Sequence, residues 1–174
     1  MQEYEFTLKF SLGDEASDPE SYIERLAEAG CDDALIGIGQ QGRIALNFNR
    51  ESDSAWEAVY SAIKDVKRAI PNAELIEASP DLVGVSDIAE VFGVTRQNIR
   101  KIIGANKAVF PTPIHDGRSA IWHLSNILSW SKKENRYPID ESLLDVAQAN
   151  MKLNITKESL KIDIDSEMRS VLAV

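Results

Sequence analysis

The sequence predicts an α+β fold, on three observations. Residues 3–12 (EYEFTLKFSL) alternate apolar with polar, the period of a half-buried strand. Apolar residues at helical spacing occupy 18–29 and 53–70, with further short β-type runs between and after them. Beyond Pro80 the strand signals give way to short amphipathic helices punctuated by turn residues. At 174 residues, 44% hydrophobic and 27% charged, the chain can bury one comfortable domain or two small ones.

In the first strand Tyr4, Phe6, Leu8 and Phe10 share one face, and Glu5, Thr7 and Lys9 the other. Asp18-Pro19 opens a helix to about Ala29, with Asp18 as cap, Pro19 at the first helical position and Tyr22, Ile23 and Leu26 inward. Ala34 to Ile38 and Arg43 to Arg50 read as a hairpin through the Gly39–Gly42 turn, Ile44, Leu46 and Phe48 forming its inner face. Ser52 or Asp53 is expected to cap a longer helix to about Ile70, on which Trp56, Val59, Tyr60, Ile63 and Val66 follow the helical period. Ala73 to Ala78 makes a fourth strand. The order strand, helix, strand, strand, helix, strand fits one four-stranded sheet with both helices on one face, a ferredoxin-like βαββαβ unit over residues 1–79.

This unit offers no catalytic set. Gly37, Gly39 and Gly42 lie between two strands, without the helix N-terminus that would hold a phosphate, so they read as hairpin chemistry. Asp14, Glu15, Asp18, Glu20, Asp32 and Asp33 fall on caps and loops, with no His, Lys or Ser spaced to act with them. A solvated acidic face, or one that binds another protein, is the expectation. Cys31 excludes an internal disulfide, and with His115 and His123 it makes no zinc set. No cofactor, metal or enzymatic activity is expected. Without an apolar run of membrane length or a signal-peptide layout at MQEYEF, no membrane association is expected and the location is expected to be cytoplasmic.

The net charge of −9 opposes nucleic-acid binding only when taken globally. Residues 1–79 hold 7 basic and 16 acidic side chains, residues 80–136 hold 8 and 5, and residues 137–174 hold 4 and 7. The middle segment, bounded by Ser79-Pro80-Asp81, is therefore the only positive one, and the local field governs contact with DNA.

That segment contains Val85 to Gly104, VSDIAEVFGVTRQNIRKIIG, which reads as two helices about a tight corner. Ser86 and Thr95 are expected as N-caps. Ile88, Phe92, Val94, Ile99 and Ile102 pack between the helices, Ala89 lies at the crossing, and Gly93 supplies the corner. Arg96, Gln97, Asn98, Arg100 and Lys101 remain on the outside of the second helix, with no acidic residue among them. Such a helix-turn-helix places its second helix in a DNA major groove. Downstream, residues 105–114 and 119–124 flank His115-Asp116-Gly117-Arg118, and Asp-Gly predicts a two-stranded wing with Arg118 near its tip. Ser125 is expected to cap a helix with Ile127, Leu128 and Trp130 inward. Trp122 and Trp130 are expected to clamp the wing to the helices.

In the tail, 137–174, Asp140 or Glu141 starts a helix to about Met151, and 154–164 alternates through Ile155, Leu160, Ile162 and Ile164. Ser166 to Leu172 reads as a last helical turn. An apolar stripe at a chain end suggests a homodimer contact or capture of another protein, and it could equally pack back on the sheet.

From Asp81 to about Glu134 the chain resembles the small winged-helix DNA-binding domain shared by the MerR regulators and the phage excisionase/AlpA group. The resemblance rests on VSDIAEVFGVTRQNIRKII, then FPTPI, a Gly117-Arg118 wing tip, and IWHLSNILSW. It implies a second helix in the major groove, with Arg96, Gln97 and Arg100 facing bases, and Arg118 on backbone or minor groove. Thr95, Asn98, Lys101, Lys107 and His115 complete the expected DNA-facing set. Two features depart from the family: MerR regulators usually begin with this domain and continue into a long dimer helix, whereas here it is internal and follows a sheet domain, and Val91-Phe92 stands where Leu-Leu is common, a packing variation. MerR effector chemistry therefore does not carry over. The expectation is a sequence-specific double-stranded DNA-binding protein, a bacterial or prophage transcriptional regulator acting as a homodimer. The alternatives are an antitoxin or defence-complex subunit that binds a partner through its acidic domain or tail, and an architectural, excisionase-like protein that bends DNA.

Overall fold

In the computed structural model the described residues are 1–13, 18–37 and 39–173. Asp14, Glu15 and Ile38 lie outside them. The architecture is mixed α+β, with a four-stranded antiparallel sheet, a small two-stranded one, and helices packed on both.

The large sheet has the order β2-β3-β1-β4, from β1 (Gln2–Ser11), β2 (Ala34–Gly37), β3 (Arg43–Ser52) and β4 (Glu74–Ser79), with every neighbour antiparallel. The register opposes Phe6 to Phe48 and Leu8 to Leu46, so the alternation in both strands directs one apolar face to the same side. Phe6 and Phe48 stack there at 5.3 Å. On that face lie a 3₁₀ turn (Pro19–Tyr22), α1 (Ile23–Glu28) and α2 (Ala55–Ala69). Asp18 caps the turn by accepting from the Glu20 amide at 3.0 Å. Only Leu26 of α1 is fully buried, and Ile23 stays exposed.

The helix α2 corrects two expectations. Its cap is Ser54, whose Oγ accepts from the Glu57 amide at 3.2 Å, because Ser52 is still paired with Gln2 in the sheet. Its inward face is Ala55, Ala58, Val59, Ala62, Val66 and Ala69. Small residues let the helix approach the aromatic face of the sheet closely. Trp56 and Tyr60, half-exposed, stack on each other at 5.9 Å and lie outside the core.

Arg50 is 8% exposed, at the inner end of β3. Its guanidinium donates to both Asp33 oxygens (2.6 and 2.9 Å), to Asp65 (2.9 Å), to Ser61 (3.0 Å) and to the Gly30 carbonyl (2.7 Å). Burial opposes its charge, but the hydrogen bonds and charges of Asp33 and Asp65 outweigh burial and raise its pKa. Cys31 beside it is buried. Desolvation, with the Asp65 charge next, pushes its thiol up to about 11, so it is a neutral core group.

The second core is built from β5 (Leu82–Val83), α3 (Val85–Val91), α4 (Arg96–Ala105), β6 (Trp122–His123) and α5 (Leu124–Lys133). Two further corrections concern its caps. The helix α3 begins after Gly84, whose amide donates to the Asp87 carboxylate at 2.7 Å, and Ser86 is an exposed residue within the first turn. The helix α5 begins after His123, and Ser125 is turned inward, donating to Met151 Sδ at 3.2 Å.

The tail is helical for longer than its alternation suggests. The helix α6 (Glu141–Ser159) replaces the predicted extended run from Asn154, and α7 (Ser166–Leu172) follows it. The physical reason lies at the edge strand β4. The Asn154 side chain accepts from the Ala78 amide (3.0 Å) and donates to the Ala78 carbonyl (2.8 Å) and to Asp81 (2.8 Å). A helix side chain thereby satisfies the open edge of the sheet. Asp81, 1% exposed, also meets His123 Nδ1 at 2.6 Å, and its carbonyl accepts from Leu124 at 2.6 Å. Val146, Ala149 and Leu153 of α6 join the first core, and Leu144 and Ala147 the second. Of the fates open to the tail, α6 packs back and ties the two cores together.

Candidate nucleic-acid interface

The corner between α3 and α4 follows local rules. Val94 donates to the Ala89 carbonyl at 2.9 Å, and Gly93 has φ +63°, the left-handed backbone that a side chain resists. Thr95 caps α4, its Oγ1 accepting from the Asn98 amide at 3.2 Å. Ile88, Ala89, Ile99 and Ile102 are buried between the helices, and Phe92 stacks on Tyr137 at 4.7 Å.

With Ile99 and Ile102 committed inward, the opposite side of α4 is polar. Thr95, Arg96, Gln97, Asn98, Arg100 and Lys101 are all exposed. Among the described residues none of the side chains of Arg96, Gln97, Asn98, Arg100 or Lys101 hydrogen-bonds to protein, so their donors and acceptors face solvent. The Ile103–Ala105 end of α4 adds no charge of either sign. Arginine and glutamine in this setting have the paired donors and acceptors that match guanine and adenine edges.

The loop after α4 carries Lys107, His115 and Arg118, all exposed. The pairing here is smaller than the two-stranded wing predicted. His115 and Ile121 form a single bridge with residues 116–120 between them, so Asp116-Gly117 is part of a longer tip and not a two-residue turn. Pro111 and Pro113 have no N–H to give a ladder. Trp122-His123 pairs instead with Leu82-Val83, upstream of α3 and α4. At the tip a Cβ on Gly117 would collide with His115 Nε2, so glycine permits the imidazole to lie over the turn.

Three aromatic rings hold this loop. Phe110 meets Trp122 edge-on at 5.9 Å and Trp130 at 4.8 Å, and Trp122 Nε1 donates to the Pro111 carbonyl at 2.9 Å. Both tryptophans are buried, which leaves them no face for a base.

Sequence reasoning missed Asn106 and Arg136. Arg136 donates to Asn106 Oδ1 at 2.8 Å, and Asn106 Nδ2 donates to the Ile102 carbonyl at 2.7 Å, at the end of α4. Thirty positions separate them, and no local signal could pair them.

Elsewhere the surface suits nucleic acid poorly. The open face of the large sheet carries Glu3, Glu5, Asn47, Asn49 and Glu77, and the groove it shares with α3 adds Asp87 and Glu90. These carboxylates would repel a phosphate backbone, and Phe6, which also lines the groove, is buried and offers no face for a base. Among the described residues no three His, Cys, Asp or Glu side chains are grouped to hold a metal, and no helix is long and apolar enough to cross a membrane. No protein-family model matches the chain, and neither a curated protein nor a solved structure does.

Proposed function

We propose that the chain is a sequence-specific double-stranded DNA-binding protein that reads the major groove with α4. The observation that carries this reading is the outer side of α4: Arg96, Gln97, Asn98, Arg100 and Lys101, exposed, without internal partners, behind a left-handed glycine corner. Arg96 and Arg100 supply bidentate donors for guanine O6/N7, and Gln97 the donor–acceptor pair for adenine. Thr95, Asn98, Lys101, Lys107, His115 and Arg118 contact backbone or minor groove and set register. The fold reading that accompanies it is a winged helix-turn-helix of the MerR/excisionase kind behind a ferredoxin-like domain. Its supports are the sheet order β2-β3-β1-β4, with helices on one face, and the Gly117-Arg118 tip.

The role that fits best is transcriptional regulation by a homodimer on two half-sites. The exposed Leu160, Ile162, Ile164, Met168, Val171 and Leu172 favour such an arrangement, since among the described residues these large apolar side chains stay substantially open to solvent. The same residues favour the second reading, an antitoxin-like or defence-complex subunit that holds a protein partner there.

Selection of duplexes from a random pool by the purified chain tests the proposal. An enriched motif is expected, in paired half-sites if the dimer reading holds. Arg100→Ala should relax preference at one base pair, a loss of roughly 1–3 kcal/mol in discrimination. Equal weakening on the enriched and random duplexes at fixed salt would refute the assignment of Arg100.

A further inference from the structure

We infer that Arg136 and Asn106 form a positioning pair that sets the recognition helix and the wing in register with each other. This inference rests on the DNA-binding reading above. Arg136 is held at three points. Asn135 before it has φ +49°, and the Arg136 amide donates to the Ser131 carbonyl at 3.0 Å, which closes the end of α5. Its guanidinium lies over the Trp130 ring at 5.7 Å and donates to Asn106 Oδ1 at 2.8 Å. Trp130 is 7% exposed, so the post from which Arg136 reaches is part of the second core.

Asn106 passes this placement in two directions. Backwards, its amide and its Nδ2 both donate to the Ile102 carbonyl, at 3.1 and 2.7 Å, and hold the last turn of α4. Forwards, its carbonyl accepts from Val109 (2.9 Å) and Phe110 (2.8 Å), and Phe110 is the ring gripped by Trp122 and Trp130 at the base of the wing. One residue, by its side chain backwards and its backbone carbonyl forwards, therefore joins the end of the helix that carries Arg100 and Lys101 to the start of the loop that carries His115 and Arg118. Base-edge hydrogen bonds tolerate displacements of only a few tenths of an ångström, whereas phosphate attraction falls slowly with distance. Loss of the pair should therefore erode discrimination between sequences more than affinity for any duplex.

The test measures binding of the full chain to the duplex enriched by the wild type and to a random duplex, across a salt series. Asn106→Ala removes no charge, and Arg136→Ala removes one. Each should lower the enriched-over-random ratio about fivefold, the worth of one hydrogen bond. The double variant should lose no more than the worse single one, and the salt slope should stay unchanged. Amide exchange at Asn106, Val109 and Phe110 should quicken in Arg136→Ala, whether or not DNA is present. Fully additive losses, an unchanged ratio, or unchanged exchange would overturn the inference. A slope reduced by about 0.9 in Arg136→Ala, with both duplexes weakened alike, would make Arg136 a phosphate contact instead. Should the wild type enrich no sequence, the DNA-binding reading falls and this inference with it. Enrichment by the wild type followed by any of the other failures overturns this inference alone.

Discussion

Replacing Gly93 isolates a single physical cause, because the position is strained in backbone and free in space. Its φ is +63°, and a Cβ built there meets nothing within 4 Å. Gly93→Ala therefore adds no clash. Its cost is the left-handed conformation of an L-residue, about 1–2 kcal/mol. Asparagine visits that region more readily, so Gly93→Asn should cost less than half as much. For a chain of this length the alanine variant should melt about 2–8 °C lower than wild type. Gly117 supplies the control. Its added Cβ would collide with the His115 ring, but no left-handed φ is involved and the exposed imidazole can swing away. Gly117→Ala should thus leave the melting temperature nearly unchanged while moving the wing tip. Thermal melts followed by circular dichroism, with duplex binding measured below the transition, would compare the three variants. Equal losses for Gly93→Ala and Gly93→Asn, or none for either, would refute the left-handed corner as the basis of the α3–α4 geometry.

Three further outcomes are expected. Arg50→Met strands Asp33 and Asp65 beside an apolar chain, and denaturant unfolding should show a loss of about 3–5 kcal/mol. Asp140 caps α6, and hydrogen bonds from Ser142, its side chain first, hold its carboxyl below the ordinary range. A depressed carboxyl stabilises the fold above its unfolded pKa, and that stability is lost as pH falls through the folded value. Asp140→Ala should accordingly destabilise the fold at pH 7 by about 1 kcal/mol, with a lower melting temperature, and the gap to wild type should close as pH falls below about 4. Cys31, buried with its thiol pushed up to about 11, should resist iodoacetamide at pH 8 in the folded chain and react within minutes once denaturant unfolds it.

Much of the fold is legible in the sequence wherever the deciding interactions are local. The alternation of 3–12 and of 43–50 names their inner faces, because a pleated strand has only two sides. Thr95, Gly93 and the Ile88–Ile99–Ile102 set are readable because a cap, a corner and a helical stripe are each satisfied within a few residues. The exposed basic helix follows from the same stripe: once the isoleucines turn inward, Arg96, Arg100 and Lys101 have only solvent to face.

The features that sequence reasoning missed depend on partners far along the chain. Trp56 and Tyr60 fit the helical period of α2, but the neighbouring alanines pack closest to the sheet and turn those rings outward. Trp122 pairs with Val83 across the whole of α3 and α4, in place of the nearby strand that two prolines deprive of donors. Asn154 reads as a polar residue in an alternating run. It is instead the side chain that caps the β4 edge and draws α6 across both cores. Asn106 and Arg136 meet only once the second core, to which α4 and α5 both contribute, has formed. The sequence by itself determined the strands of the large sheet, the inward faces of β1, β3 and the α3–α4 pair, and the charge left on α4, since each is set by periodicity and local chemistry. Only the tertiary structure decided which edges are covered, which aromatic rings are buried and how the tail is held. Those depend on burial and on hydrogen bonds between residues that the chain alone does not bring together.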